Sequence, residues 1–156
     1  MNKTVLGLDK SKTDNLVVSL NDLLANFQVY YQNVRGVHWN IKGKNFFQLH
    51  LKFEELYTDA QIKVDLIAER ILTLHGAPIH TFDEYSKMAK VPVGKNISKD
   101  EEAVALVVNS LSVLLSIERT ILELSSEADD EGTNSMMSDF IAEQEKTLWM
   151  LNAWLG

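Results

Sequence analysis

The sequence contains no cysteine, which excludes disulfides, thiolate metal sites and cysteine nucleophiles, and is compatible with a reducing compartment. Glycine and proline are also scarce, 7 and 2 among 156 residues, and long stretches carry neither. Many short strands joined by turns are therefore disfavoured, and long uninterrupted helices are expected. The first residues lack the apolar run of a signal peptide, and no later stretch is expected to approach the roughly 20 apolar residues that cross a bilayer. A soluble cytoplasmic chain without a membrane partner is the expectation. Basic residues are in deficit, 15 against 22 acidic, for a net charge of −7. Such a balance disfavours broad contact with nucleic acid or anionic lipid and suits cations. What the chain does have is 46% hydrophobic residues, enough at this length to build one core without a staple.

Apolar periodicity organises the chain into helices. Leu16, Leu20, Leu23, Leu24, Phe27, Tyr31 and Val34 recur at three- and four-residue spacing and predict a first helix over residues 11–37, after a flexible tail over residues 1–10. Gly36 and Gly43 flank His38, Trp39 and Asn40. A second helix is expected from Asn45 to Leu74, where His75, Gly76 and Pro78 stop it. Thr81 and Glu84 have capping-box spacing and predict a short helix through Ala89. Residues 90–97 read as loop, and Ser98 with Glu101 repeats the capping spacing before a third long helix to Ala128. Asp129 to Gly132 is expected to break the chain before a fourth helix over residues 134–155, buried along Met137, Phe140, Ile141, Leu148, Leu151 and Leu155. An all-α, ferritin-like four-helix bundle with a short helix in the long second connection fits this pattern, and so does an ordinary up-down bundle.

The second helix carries the chemistry. His50 and Glu54 are four apart, as are Asp65 and Glu69, so each pair stacks on one side of a helix. At about 100° per residue, with His50 at zero, Glu54 lies near 40°, Asp65 near 60° and Glu69 near 100°. The expected core stripe, Phe53, Leu56, Tyr57, Val64, Ile67, Ile71 and Leu74, falls between about 240° and 340°. A rise of about 1.5 Å per residue separates His50 from Glu69 by about 28 Å and Glu54 from Asp65 by about 16 Å, so one straight helix cannot close a single centre. The positions are symmetric about the Asp59–Ala60 step, however. Two copies crossing antiparallel there would bring His50 towards the partner's Glu69 and Glu54 towards the partner's Asp65, an isologous arrangement. Imidazole and carboxylate donors suit Fe(II). Each carboxylate taken singly also fits an ordinary solvated helix charge.

The run His38, Trp39, Gly43, Phe46, Phe47, Leu49, His50, then Glu54, Tyr57, Asp65, Ala68, Glu69, Arg70 and Ile71, closing with Gly76 and Pro78, resembles the Dps family of twelve-subunit mini-ferritins. The resemblance extends more loosely over almost the whole chain. It implies a hollow homo-dodecamer built from two-fold dimers, with ferroxidase centres between subunits. Fe(II) would be oxidised to Fe(III), preferably by hydrogen peroxide, and stored as ferric mineral, protecting against oxidative damage. His38, His50 and Glu54 would come from one subunit and Asp65 and Glu69 from its mate. The family more often has Asp where this chain has Glu54, a longer side chain at the weaker metal position. Trp39 corresponds to a tryptophan implicated in taking up oxidising equivalents. The acidic segment before the last helix would lie at three-fold pores, with Asp130, Glu131 and Asp139 as the candidate lining. Relatives that compact DNA do so through lysine-rich tails. Here the start offers only Lys3, Lys10 and Lys12, so DNA binding is not favoured.

Overall fold

The computed structural model describes residues 2–156, and among them are five helices: α1 Lys10–Asn40, α2 Phe46–Thr73, α3 Phe82–Met88, α4 Asp100–Glu127 and α5 Glu131–Leu155. The four long helices form a bundle in which α1 packs on α2 and α4, α4 on α5, and α3 on α1. Leu16, Leu20, Leu23 and Phe27 of α1 meet Phe53, Ile67 and Ile71 of α2, Leu111, Leu114 and Ile121 of α4, and Met137 of α5 in one core. Tyr57 and Val64, expected in that core, are only half-buried, and Leu155 is exposed.

The long connection fixes the topology. Lys42 donates its backbone N–H to the Ser98 carbonyl and Asn45 donates to the Asp100 carboxylate, so α4 starts at the same end as α2 and the connection travels the length of the bundle. Three asparagines of α1 hold it there. Asn21 donates to the Ala77 carbonyl and accepts from Ile79; Asn26 accepts from Lys90 and Val91; Asn33 donates to the Pro92 carbonyl and accepts from Gly94. Asn26 and Asn33 are buried, where an unpaired amide would be costly. A non-helical strand of backbone thereby packs on a helix with these polar groups satisfied.

Helix ends differ from the sequence expectation in four places. The first helix continues past Val37 to Asn40, because Val34, Val37 and His38 are buried and tertiary packing outweighs the helix cost of Gly36, about 1 kcal/mol. Ser98 makes no cap; α4 begins at Asp100 with Lys99 at the N-cap position and no side-chain cap bond. The last helix starts at Glu131, three residues early, because the Asp130 carboxylate caps it by accepting from the Thr133 N–H. Gly132 breaks nothing: a Cβ there would sit 2.8 Å from the Arg70 guanidinium nitrogens, so its missing side chain is the space Arg70 occupies. Finally, residues 3–9, expected as a flexible tail, form a closed loop, with Thr4 donating to Leu8 and an isolated bridge between Lys3 and Asp9.

One helix, α4, proves long and apolar enough to cross a membrane, contrary to the expectation that none would be. Half of its most apolar window is buried inside the bundle, as befits a core helix.

Inside the bundle, each long helix contributes one polar group to a buried cluster: Tyr30, Lys63, Glu118 and Gln144. Lys63 bonds Asp59 and Glu143, both at 2.6 Å, and lies over the Phe140 ring. Gln144 donates to Glu118 at 2.7 Å. Burial raises the Glu118 pKa from the ordinary 4.5 to about 8, against the opposing pull of the Gln144 bond and of Lys63. Unfolded, this group ionises near 4.5; folded, it keeps its proton until about 8. Between those values unfolding releases a proton, so stability is full at lower pH and declines as pH rises towards 8. Glu118→Gln should flatten that decline, a difference on the order of a few kcal/mol, measured by denaturant titration of the metal-free protein at intervals from pH 4.5 to 8.5.

Candidate metal centre

His38 occupies the last turn of α1, not the segment after it, and His50 lies in the second turn of α2. Their side chains meet. The imidazoles stack with centroids 3.8 Å apart and planes within 12°, and each Nδ1 faces the other residue's backbone carbonyl, at 2.6 Å for His38 and 2.8 Å for His50. A carbonyl only accepts, so both Nδ1 atoms carry the proton and both Nε2 lone pairs are left for a ligand. The same bonds finish the helix end. The His38 carbonyl is among the last four of α1, and the Lys42 N–H that would have taken it in a longer helix is bonded to Ser98; the His50 ring satisfies it instead.

Neighbouring rings set the position of the pair. Phe46 stacks on His50 at 4.8 Å, and Tyr57 meets His38 edge-on at 5.2 Å. His38 is buried and His50 half-buried. Backbone carbonyls holding Nδ1 are the outer arrangement that fixes ring orientation in metal-binding histidines.

Glu54, Asp65 and Glu69 are exposed on the same helix. Glu54 lies one turn beyond His50, whereas Asp65 and Glu69 lie in the far half of α2, and among the described residues no three His, Asp or Glu side chains converge within one chain. The face that carries these carboxylates also exposes Phe47, Leu51, Ile62, Leu66 and Leu72, each at least 43% accessible. With His50 at zero these residues fall between about 40° and 160° on the helical wheel, interleaved with the acids. A stripe of large apolar side chains mixed with carboxylates is what an unpartnered interface exposes, not an ordinary solvated face.

The remaining candidates separate. Trp39 turns outward, 56% accessible, beneath the Arg35 guanidinium at 4.8 Å. Asp130, a candidate pore residue, is buried at 2% accessibility and spent inside the chain: it caps α5, bonds the Thr133 hydroxyl and pairs with Arg70. Its aspartate is consumed by the turn that it closes, so it does not present a free carboxylate to a pore. Glu131 and Asp139 are exposed.

Comparison with known proteins agrees with this architecture. A family model described as a ferritin-like domain matches residues 18–156. The "DNA protection during starvation protein" of Porphyromonas gingivalis is 42% identical over 150 residues, covering 96% of this chain and 94% of its own. A protein of Haemophilus influenzae described only as uncharacterized is 48% identical over 98% of this chain and 96% of its own. Among solved structures, a Vibrio cholerae Dps protein, described as a member of a broad superfamily of ferritin-like diiron-carboxylate proteins, superposes with a TM-score of 0.97 at 51% identity, covering 100% of this chain and 98% of that one. A Bacillus brevis Dps protein gives 0.90 at 38% identity over 94% and 98%.

The imidazole geometry has a spectroscopic consequence. In the metal-free protein, long-range proton–nitrogen correlation spectra should show both neutral rings protonated at Nδ1; an Nε2–H tautomer at either ring would contradict the assignment. With its fold and its sequence matched to these relatives over nearly its whole length, the chain belongs to the Dps family of ferritin-like proteins.

Proposed function

We propose that this protein is a ferroxidase and iron store whose catalytic centre is assembled between two copies of the chain. The observation that carries the reading is the locked imidazole pair, two Nε2 donors fixed at one end of an α2 face whose acids lie too far along the helix to join them. Crossing two such helices antiparallel near Asp59 supplies the missing half: His38, His50 and Glu54 of one subunit face the partner's Asp65 and Glu69. The exposed Phe47, Leu51, Ile62, Leu66 and Leu72 are then the apolar part of the contact, and their burial drives the pairing.

Iron is the substrate. Two Fe(II) ions supply the two electrons that one hydrogen peroxide accepts, and with two protons the products are two Fe(III) and two waters. Mixed nitrogen and oxygen donors, few in number, leave positions open for the oxidant. Glu54 reaches further than an aspartate would and is exposed, which suits a second, more weakly held iron. The ferric product moves into the cavity of a homo-dodecamer as mineral, and Glu131 and Asp139 draw incoming cations to the pores. Consuming iron and peroxide together in the cytoplasm removes both reagents of hydroxyl-radical formation.

DNA compaction is not favoured as the principal activity. Of the three lysines near the start, Lys10 is paired with Asp14 and Lys12 donates to the Glu127 carbonyl, both at 2.6 Å. Chemical removal of oxidants accounts for the protective names of the relatives without a basic arm. The test is peroxide-driven Fe(II) oxidation followed by ferric absorbance in the purified oligomer. His50→Ala combined with Asp65→Ala should slow it by at least 100-fold, on the order of the 10–100-fold lost when even outer-shell support of a metal site is removed; a double variant as fast as wild type would sink the assignment.

A further inference from the structure

Between α2 and α5 runs a groove of about 510 Å³ whose lining includes Asp59, Lys63, Asp139 and Glu143. The Lys63 side chain is buried there, 4% exposed, yet both of its partners stand at the surface, Asp59 with 52% and Glu143 with 61% of the side chain exposed. An ammonium has three N–H donors, and these acids take two of them at 2.6 Å. The bundle interior holds a second pair of acceptors. Glu118 is fully buried, and its Oε2 accepts from Gln144 at 2.7 Å. Among the described residues neither Glu118 Oε1 nor Gln144 Oε1 has a partner. With Oε2 engaged, the carboxyl proton of Glu118 sits on Oε1.

We propose that Lys63 is a two-position switch, bridging Asp59 and Glu143 while Glu118 carries its proton and turning inward to the Glu118 carboxylate once that proton is gone. The switch stands apart from the ferroxidase reading. In the step, Glu118 releases one proton to solvent and the Lys63 ammonium keeps all of its own. Two hydrogen bonds to surface acids are exchanged for bonds to Glu118 Oε1 and Gln144 Oε1. The flexible four-carbon stem of a lysine lets the charge swing, and the Phe140 ring, 5.2 Å from the ammonium, presents a face that attracts a cation. Burial raises the Glu118 pKa, and Lys63, with the Gln144 bond, already acts against that rise.

Solvent screening decides the competition. At equal separation two charges attract about fourfold more strongly at an effective dielectric constant of 20 than in water. A buried carboxylate therefore prevails over two that water screens, and an ionised Glu118 left unpaired in the core would be costly. The groups around Glu118 single out Lys63. From α1 comes Tyr30, whose hydroxyl is kept neutral by burial, Asp59 and Glu118, all of which raise its pKa. From α2 come Lys63 and, through it, Asp59; from α5 come the uncharged Gln144 and, through Lys63, Glu143. On its own helix Arg119 acts more weakly than Lys63, is half exposed and is bonded to Glu145. Transfer changes the groove. Asp59, Asp139 and Glu143 are left as carboxylates without a cation among them, a stronger field for incoming cations. Among the described residues it also leaves Arg70, with Asp130 and Thr133, as the side-chain tie between α2 and the start of α5.

The experiment follows the carboxyl and the ammonium separately in the metal-free protein as it assembles. Infrared spectra collected against pH should show a buried carboxylic-acid band that is absent from Glu118→Gln and disappears in wild type with a midpoint at about 8. Lys63→Met removes the cation that the carboxylate recruits and should move that midpoint up by about one pH unit or more. Asp59→Asn combined with Glu143→Gln removes the competing acids and should move it down. Crystal structures of wild type on either side of the transition, at about pH 6 and about pH 9.5, locate the ammonium without any substitution. At the lower pH it should bond Asp59 and Glu143; at the higher it should bond Glu118 and have left both. A band that persists at the higher pH, an ammonium still on Asp59 and Glu143 after the band is lost, or an unmoved midpoint in folded Lys63→Met overturns the switch.

Discussion

Because α2 runs unbroken from Phe46 to Thr73, its two polar halves are held apart by the rise of the helix itself, about 16 Å between Glu54 and Asp65 at the nearest. No rotamer choice overcomes that distance. The same rigidity that prevents a chain from closing its own centre makes the two halves complementary, since positions equidistant from Asp59 meet when two copies cross antiparallel. On the proposed function the helix sets the register of a dimer and the composition of its site at once, and the exposed apolar side chains between the acids supply the affinity.

The other end of the arrangement depends on local economy. Two imidazoles are held by two backbone carbonyls, one of them a helix-terminal carbonyl that would otherwise lack a partner. One pair of hydrogen bonds therefore ends α1, joins it to α2 and chooses the tautomer that frees Nε2. Arg70 plays a comparable part at the opposite end of α2, where it pairs with Asp130 in the space left by Gly132 and fastens the start of α5. The helix that carries both sets of proposed ligands is fixed at both ends by polar contacts, and along its middle by Phe53, Ala60 and Ile67.

Much of this was legible in the sequence, and the parts that were not share a cause. Helical periodicity located the four long elements, and the spacing of His50, Glu54, Asp65 and Glu69 disclosed a shared face, because both signals depend only on the geometry of a helix. The Thr81 cap was legible for the same reason: the Glu84 N–H does bond its hydroxyl. What escaped depends on contacts between distant residues. The first helix looked finished at Val37 because the burial of His38 is tertiary. Asp130 looked like a free acid because Arg70 is 60 residues away. The asparagines that pin the long connection, and the buried Tyr30, Lys63, Glu118 and Gln144, carry no local pattern at all.

The most direct test of a centre made by two chains is complementation. Chains lacking both imidazoles, by His38→Ala and His50→Ala, are mixed with chains lacking both distal acids, by Asp65→Ala and Glu69→Ala, then dissociated and reassembled together. Each variant alone should be inactive in peroxide-driven Fe(II) oxidation. Random pairing gives mixed dimers in about half of cases, each with one intact centre of two, so about a quarter of the wild-type fast phase should return. No recovery in oligomers shown to be mixed would contradict the shared centre.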